Sequence, residues 1–377
     1  MPQAIVIVGG GAIGSAIAAF LTADPALAGS VTVVERDPSY RLASSARSAS
    51  SIRQQFSTPI NIAMSQFGLA FAREIGLAEH GYLFLASARG VERLRSNHAI
   101  QREHGVDAVL LDPAQLRERF PWLSTNDVAL GSLGVHGEGW FDGYLLLQYF
   151  REQAVSQGAI YLRGDVAGME IAGERVHSVR LADGSSLPAD LVVNAAGPWA
   201  AAVGAMLNVD LPVRARRRCV YVFSAPGSLA RCPLVIDTSG LYFRPEGDDF
   251  LVGISPPEES DPDDLPLEAD RATFDEILWP ALAERVPLFE RVKLRHSWAG
   301  YYEYNVFDHN GMVGRHPTLV NAYFANGFSG HGLQHAPAIG RGVTELILHG
   351  AYRTLDLSPL AFERVLRHEP LVEVNII

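Results

Sequence analysis

A single lysine, Lys293, stands among the 31 basic residues of this 377-residue chain; all the others are arginine. Schiff-base chemistry and P-loop phosphate binding each require a lysine at a fixed place in a motif. The surrounding "RVKLRHS" fits neither, which excludes both classes. Cysteine is nearly as scarce: Cys219 and Cys232 are too few for a disulfide framework, and they form no Cys-x-x-Cys. A reducing, cytoplasmic address is the expectation. No run of 18 apolar residues occurs, so no transmembrane segment is expected. Positive charge is outweighed, 31 basic against 42 acidic residues for a net −11, which makes nucleic acid and anionic membranes poor partners. The opening "MPQAIVIVGG" has no charged leader and reads as a first strand rather than a signal peptide. Such a length argues for two domains rather than one core.

What the chain does contain begins at once. "AIVIVG", Ala4 to Gly9, is a short apolar run of the kind a buried parallel strand needs. It passes into Gly9-x-Gly11-x-x-Gly14, then into "AIGSAIAAFLTAD" with helical spacing, then into the strand "VTVVERD" ending at Glu35. Strand, glycine turn, helix, strand and acid stand in register, as a dinucleotide site requires. Gly9 makes the tight turn, Gly11 lets backbone approach a pyrophosphate, and Gly14 lets the helix lie close to the strand. Glu35 is placed to accept hydrogen bonds from the adenosine ribose. No second glycine unit follows, which leaves two readings: NAD as a co-substrate, or a resident FAD.

The next segments sharpen the choice. "LASSARSASSIRQQF", Leu42 to Phe56, is rich in small hydroxyl residues and leaves the carboxyl edge of the sheet, where ligands bind in such folds. "GWFDGYLLLQYFREQAVSQGAIYL" reads as a helix leading into a strand. "RVHSVRLADGSSLPADLVVNAAGPWA" reads as a hairpin and then a buried strand ending at Gly197. The nucleotide domain is therefore expected to be split by an insertion over residues 79 to 136. Later, "GFSGHGLQ" (327–334) crowds glycines around Ser329 and His331 before the helical "HAPAIGRGVTELIL". A helix start offers unpaired N–H groups and partial positive charge, suited to something flat and electron-rich.

Taken together, "VIVGGGAIG…VVERD", "SSARSAS", "VVNAAGPWA", "SWAG" (297–300) and "NGFSGHG" (326–332) resemble the FAD-dependent amine oxidoreductases related to D-amino-acid oxidase and sarcosine oxidase. The likeness runs from about Ala4 to about Gly350 and is nearest to the branch holding D-arginine dehydrogenase and the FAD-dependent oxidoreductase domain-containing protein 1 group. It implies an α/β plus α+β fold: a Rossmann-like FAD-binding domain (1–78, 137–200 and 298–377), and a mostly antiparallel β-sheet substrate-binding domain (79–136 and 201–297). It also implies FAD, held through Gly9, Gly11, Ala12, Ile13, Gly14, Glu35 and Arg36 at the ADP part. Ser44, Ser45 and Ser48 would contact the diphosphate and ring, with Val166 and Gly197 beside the adenosine half. Gly300, Gly327, Gly330, His331, Gly332, Leu333 and Gln334 would border the isoalloxazine, His331 as a donor. The helix from about Gln334 would stabilise negative charge on the reduced ring.

On the substrate side, "RARRRCVYVFSAP" and "SGLYFRPEGDDFLVGIS" read as strands by alternation. Tyr242 and Arg244 are two apart and share a face; by resemblance Tyr242 lines the substrate pocket, with Arg244 pointing the same way. Three departures from the family pattern stand out. Tyr301 fills the slot of a flavin-linking cysteine, so the FAD is expected to be non-covalent. Gln334 replaces a lysine, and Tyr302 replaces an arginine that clamps a carboxylate in D-amino-acid-oxidising relatives. A carboxylate must then find Arg53, Arg244 or the Arg216–Arg218 run, and Arg53, following the serine loop, is the favoured partner.

Other readings are bland. His331 and His335 sit four apart, yet the glutamate of zinc motifs is missing, so no metal is expected. No Gly-x-Ser-x-Gly follows a strand. The acidic run 256–270 reads as a solvated loop, and Trp140, Trp199 and Trp298 as packing. The expected function is FAD-dependent oxidation of a C–N bond in a small amine or amino-acid derivative, with Arg53, Tyr242, Arg244, Tyr302 and His331 as the acting side chains. Oxygen or another acceptor would take the electrons. Competing expectations are an NAD-linked dehydrogenase, and a flavoprotein kept as a binding or assembly factor.

Overall fold

The computed structural model describes residues 3–375; the remaining residues of the expected ranges 1–78 and 298–377 lie outside it. Four sheets organise the described residues, and two of them position the site. The first has six strands in the order Met312–Arg315, Ala322–Asn326, Leu191–Asn194, Gln3–Val8, Gly29–Glu35 and Ile160–Arg163. All neighbours are parallel except the edge pair formed by Met312–Arg315.

The apolar run at the N-terminus explains why this strand sits centrally. Ile5 and Ile7 face one core, against the helices Ala12–Ala23, Gly143–Ser156 and Gly332–His349. Val6 and Val8 face a second core that holds Val176, Val179 and Leu181 of a three-stranded sheet. A strand apolar on both faces can bury both only between two layers. Each such side chain contributes about 1.5–3 kcal/mol on leaving water. The expected hairpin is present as Arg175–Leu181 paired antiparallel with Ser186–Pro188, and Val166–Ala172 completes that sheet.

The second large sheet has eight strands and is mostly antiparallel: Lys293–Asn305, Val213–Ser224, Asp249–Gly253, Tyr242–Glu246, Leu234–Ile236, Tyr82–Ala86, Leu130–Gly134 and Ala108–Leu111. Its three far strands come from the expected insertion 79–136. One face packs Leu116, Phe120, Phe274, Leu278 and Phe289 over Tyr221, Phe223, Phe243 and Val252. The other face carries Tyr82, Val220, Tyr242 and Leu251, and turns toward Ala49, Trp140 and Trp298. Strand Lys293–Asn305 runs straight through the boundary expected at 298, because it pairs with Val213–Ser224 along its whole length.

Two expectations change on folding. The acidic run 256–270 is not simply solvated: Asp261 is buried and takes both Arg218 nitrogens at 3.0 and 2.7 Å, while Asp263 pairs with Arg216 at 2.8 Å. An arginine run on a sheet recruits the nearest acids, since a buried cation left unpaired is costly. The helix expected from Gln334 starts two residues earlier, at Gly332.

Candidate functional site

The carboxyl ends of five strands of the six-stranded sheet converge on one cavity. Val8, Glu35, Gly164, Ala195 and Ala325 all line it, together with Gly9, Gly11, Ala12, Ile13, Arg36, Ser44, Ser45, Ser48, Val166 and Gly197. It extends to Tyr242, Gly300, Tyr301, Tyr302, Glu303, Gly330, Gly332 and Leu333 at the eight-stranded sheet, and its empty volume is about 1600 Å3 with the mouth included. This is the crevice in which open α/β sheets hold nucleotides.

The lining fits a dinucleotide. The helix Ala12–Ala23 begins at Gly11 with no side-chain cap, so its first N–H groups are left for a ligand. Gly14 does not line the cavity; a Cβ there would meet the Gly9 carbonyl oxygen at 1.9 Å, so the glycine is what lets helix and turn touch. Glu35 accepts the Gly10 N–H through Oε2 and the Asp37 N–H through Oε1, both at 2.8 Å. Each carboxylate oxygen keeps a lone pair for a hydroxyl. Arg36 lies with its guanidinium carbon 3.4 Å from the centre of the Trp199 ring, and both residues line the cavity.

The serine segment is not a loose loop. Ser44 Oγ donates to the Tyr301 carbonyl at 2.6 Å, Arg47 Nη1 to the Ala299 carbonyl at 2.7 Å, and Trp298 Nε1 to the Arg47 carbonyl at 2.9 Å. These bonds staple it to the strand Lys293–Asn305. The Tyr301 hydroxyl donates to the Leu265 carbonyl at 2.6 Å, and neither Cys219 nor Cys232 lines the cavity.

A smaller cavity adjoins the ring end. It is lined by Ser48 to Ser51, Arg53, Tyr82, Leu234, Tyr242, Tyr302, Gly330, His331, Leu333 and Gln334, and no carboxylate is among these residues. Tyr242 and Tyr302 border both spaces. Gly330, at φ 93°, admits the Tyr302 ring, which a Cβ would meet at 2.4 Å.

Arg53 is 2% exposed, and its guanidinium lies over the Phe56 ring with 4.4 Å to the centroid. It donates to His331 Nε2 at 3.1 Å and to the Asn375 carbonyl. Arginine has no acceptor, so His331 Nε2 accepts and its proton is on Nδ1. Burial first, then the Arg53 charge, holds His331 well below the ordinary histidine pKa. His331 is thus a neutral partner of Arg53, and it lines the small cavity rather than the large one. The Gln334 side-chain oxygen accepts from the Arg53 N–H at 2.9 Å and from Ser65 Oγ at 2.8 Å. Gln334 thus serves as a brace for the pocket arginine.

The C-terminal segment reinforces it. Glu373, fully buried, accepts from Ser57 Oγ at 2.5 Å, Thr58 Oγ1 at 2.8 Å and Asn61 Nδ2 at 3.0 Å. Glu138 does the same from the other side, taking the Gln54 N–H at 2.6 Å and Gln55 Nε2 at 2.8 Å; its burial pushes its pKa up to about 7.

Besides Gly14, two residues expected at the site lie elsewhere. Arg244 shares the strand face of Tyr242, but it lines neither cavity. Its nitrogens reach the Ala49 carbonyl at 2.8 Å, the Pro245 carbonyl at 2.9 Å and the Glu246 carboxylate, and it lies over Trp140. Gly327 stands behind the turn, against Met312, Asn305 and Val213. Conversely, Tyr82 and Glu303 line the cavities without any motif in the sequence to mark them, and Trp199, expected only to pack, lines the large cavity, as does Arg218 of the arginine run. Among the described residues, no group of three or more His, Cys, Asp or Glu side chains is placed to hold a metal, and no helix is long and apolar enough to cross a membrane.

A dinucleotide crevice opening on an aromatic pocket with one buried arginine defines a flavin-type oxidoreductase site. The chain belongs to the DAO family of FAD dependent oxidoreductases, whose model matches residues 4–346. It is 44% identical to the FAD-dependent oxidoreductase domain-containing protein 1 of Xenopus laevis, over 99% of this chain and 84% of that protein. It is 28% identical to human mitochondrial dimethylglycine dehydrogenase over 94% of this chain, which spans 44% of that longer protein. Among solved structures, L-proline dehydrogenase from P. horikoshii superposes with a TM-score of 0.84 at 26% identity, covering 98% of this chain and all of that one. Family membership identifies FAD as the cofactor and sets aside the NAD-linked reading.

Proposed function

We propose that the protein oxidises the C–N bond of a small amine or amino-acid derivative that carries an anionic group. One observation carries this reading: Arg53 is buried in the small cavity, and no acidic side chain forms an ion pair with it among the described residues. Arg216, Arg218 and Arg244 all have carboxylate partners. A buried cation with no ion-pair partner favours an anionic ligand, and a guanidinium favours a carboxylate. The relatives named for dimethylglycine and L-proline support the same substrate class by analogy.

FAD, when bound, supplies the two-electron acceptor. The chain's own residues do the rest. Arg53 orients the substrate anion, braced by His331 and by Gln334 at its backbone. Tyr82, Tyr242 and Tyr302 wall the pocket and exclude water. Burial raises the Tyr242 and Tyr302 hydroxyls above the ordinary phenol range, so neither serves as a base at neutral pH. With no carboxylate in the small cavity, deprotonation of the amine is left to desolvation, which favours its neutral form. Loss of hydride from the α-carbon then gives an iminium that water hydrolyses to a carbonyl compound and the shortened amine. The site's lack of a linking cysteine supports non-covalent FAD. The electron acceptor is oxygen or a redox partner.

The test is anaerobic titration of the yellow protein with amines and amino acids, with and without a carboxylate. Bleaching by carboxylated secondary or tertiary amines, reversed by an acceptor, is expected. A flavin that no amine bleaches would instead support a binding or assembly role.

A further inference from the structure

The cofactor cavity holds a carboxyl group that the reading above does not use. Glu303 follows Tyr302 in the strand Lys293–Asn305 and lines the large cavity beside Gly330, Gly332 and Leu333. It is clamped to the glycine turn at both ends: Oε2 accepts the Gly327 N–H at 3.0 Å, and its main-chain carbonyl accepts the Ser329 N–H at 3.0 Å. Its other carboxyl oxygen, Oε1, stands at the mouth of the 18-residue helix Gly332–His349. A Cβ on Gly332 would lie 3.0 Å from it.

Among the described residues, no cationic side chain is left free around Glu303 to offset a negative charge. Ala215 is its partner in the neighbouring strand. Arg214 and Arg216, to either side, turn to Asp263, and Arg218 is bound to Asp261. Arg47, from the serine segment, is taken by the Arg41 and Ala299 carbonyls. His331, at the helix mouth, is neutral and bonded to Arg53. Its chain neighbours Tyr302 and Tyr304 are phenols whose pKa burial raises. Burial likewise pushes Glu303 up to about 8, against the opposing pull of the Gly327 and Phe328 N–H groups.

From this placement we infer that Glu303 is a cofactor-binding residue that works as the neutral acid, presenting its O–H to the group filling the cavity, so that FAD binding fixes a proton on it. The inference rests on FAD occupying this cavity. An incoming cofactor removes the water still facing Glu303 and disfavours the carboxylate further. A helix N-terminus favours negative charge; a carboxylate at Gly332 would neutralise that potential, whereas the neutral acid leaves it available to the cofactor. Binding and protonation are then linked. Below the pKa of the free protein the affinity is constant, and above it the dissociation constant rises toward about tenfold per pH unit.

The experiment titrates the full-length apoprotein with FAD, following quenching of flavin fluorescence between pH 6.5 and 9. Wild-type Kd is expected to be flat to about pH 8 and to rise roughly tenfold by pH 9. Glu303→Gln, which keeps size and a donor but cannot ionise, should be flat throughout. A second measurement needs no variant: FAD added to wild-type apoprotein in weakly buffered indicator near pH 9 should take up close to one proton. A Glu303→Gln profile that follows the wild type, or binding without proton uptake, overturns the inference while leaving the amine reading intact. A wild-type apoprotein that binds no FAD at any pH removes the cofactor site itself, and this inference with it.

Discussion

Replacing Glu35 with alanine should separate the adenosine end of the site from the rest. The carboxylate already accepts two main-chain N–H groups at 2.8 Å and keeps one free lone pair per oxygen toward the cavity. Two ribose hydroxyls donating to a charged acceptor are worth about 1.5–3 kcal/mol each. Glu35 is half-buried, so water recovers part of the loss, and the low end of that range is the fair choice. About 3 kcal/mol in total corresponds to roughly a hundredfold rise in the Kd for FAD. The assay is fluorescence titration of apoprotein with FAD and, in parallel, with FMN, which lacks the adenosine. FMN should bind wild type and variant alike, because its contacts begin at the serine segment and the glycine turn. Two results would refute the assignment. One is a Kd for FAD within about threefold of wild type. The other is parallel weakening of FAD and FMN, which would mean that removal of the Gly10 and Asp37 acceptor had loosened the turn rather than a ribose contact.

Arg53→Ala should raise KM for a carboxylated substrate by about 10- to 100-fold, the worth of a charged hydrogen bond, with a smaller change in kcat. Arg244→Ala should leave KM alone and lower the melting temperature, since its partners are structural; equal KM effects from the two would dissolve the distinction. His335 is 1% exposed and held at about 3, by burial first and then by Arg53, while an unfolded histidine titrates near 6.5. The folded value is the lower one, so its contribution is intact above pH 6.5 and fades as pH falls and the unfolded chain takes the proton. Between pH 7 and pH 5 this amounts to about 2 kcal/mol. Denaturant melts of wild type and His335→Asn at both pH values should therefore converge by that amount, and parallel curves would show that His335 is not kept neutral by the fold.

The nucleotide half of the molecule was legible because its signals are local. An apolar run, three glycines and an acid within 35 residues already specify strand, turn, helix and strand, and Gly9, Gly11, Glu35 and Arg36 all meet in one cavity. The pocket half is built from long-range pairings that no period reveals. Tyr82 comes to lie beside Tyr242 because Tyr82–Ala86 pairs in parallel with Leu234–Ile236, about 150 residues away in sequence. Glu303 comes to line the cavity only when the glycine turn and the helix Gly332–His349 close over it. A two-residue period rightly put Arg244 on the Tyr242 face, but a shared face says nothing of where a cavity ends.

The two arginines make the general point. Both are buried, and both lie over aromatic rings. What separates them is the complement of acceptors brought from elsewhere. Arg244 receives the Ala49 carbonyl and the Glu246 carboxylate, which neutralise it in place. Arg53 receives a neutral imidazole and a main-chain carbonyl, which orient the guanidinium without cancelling its charge. On the proposed function, the cost of keeping that charge buried is offset when an anionic substrate enters. Affinity for an acidic substrate and instability of the empty pocket are therefore one quantity seen from two sides. Arg53→Met, which removes the charge but keeps the length, should stabilise the protein without substrate in proportion to the binding it loses.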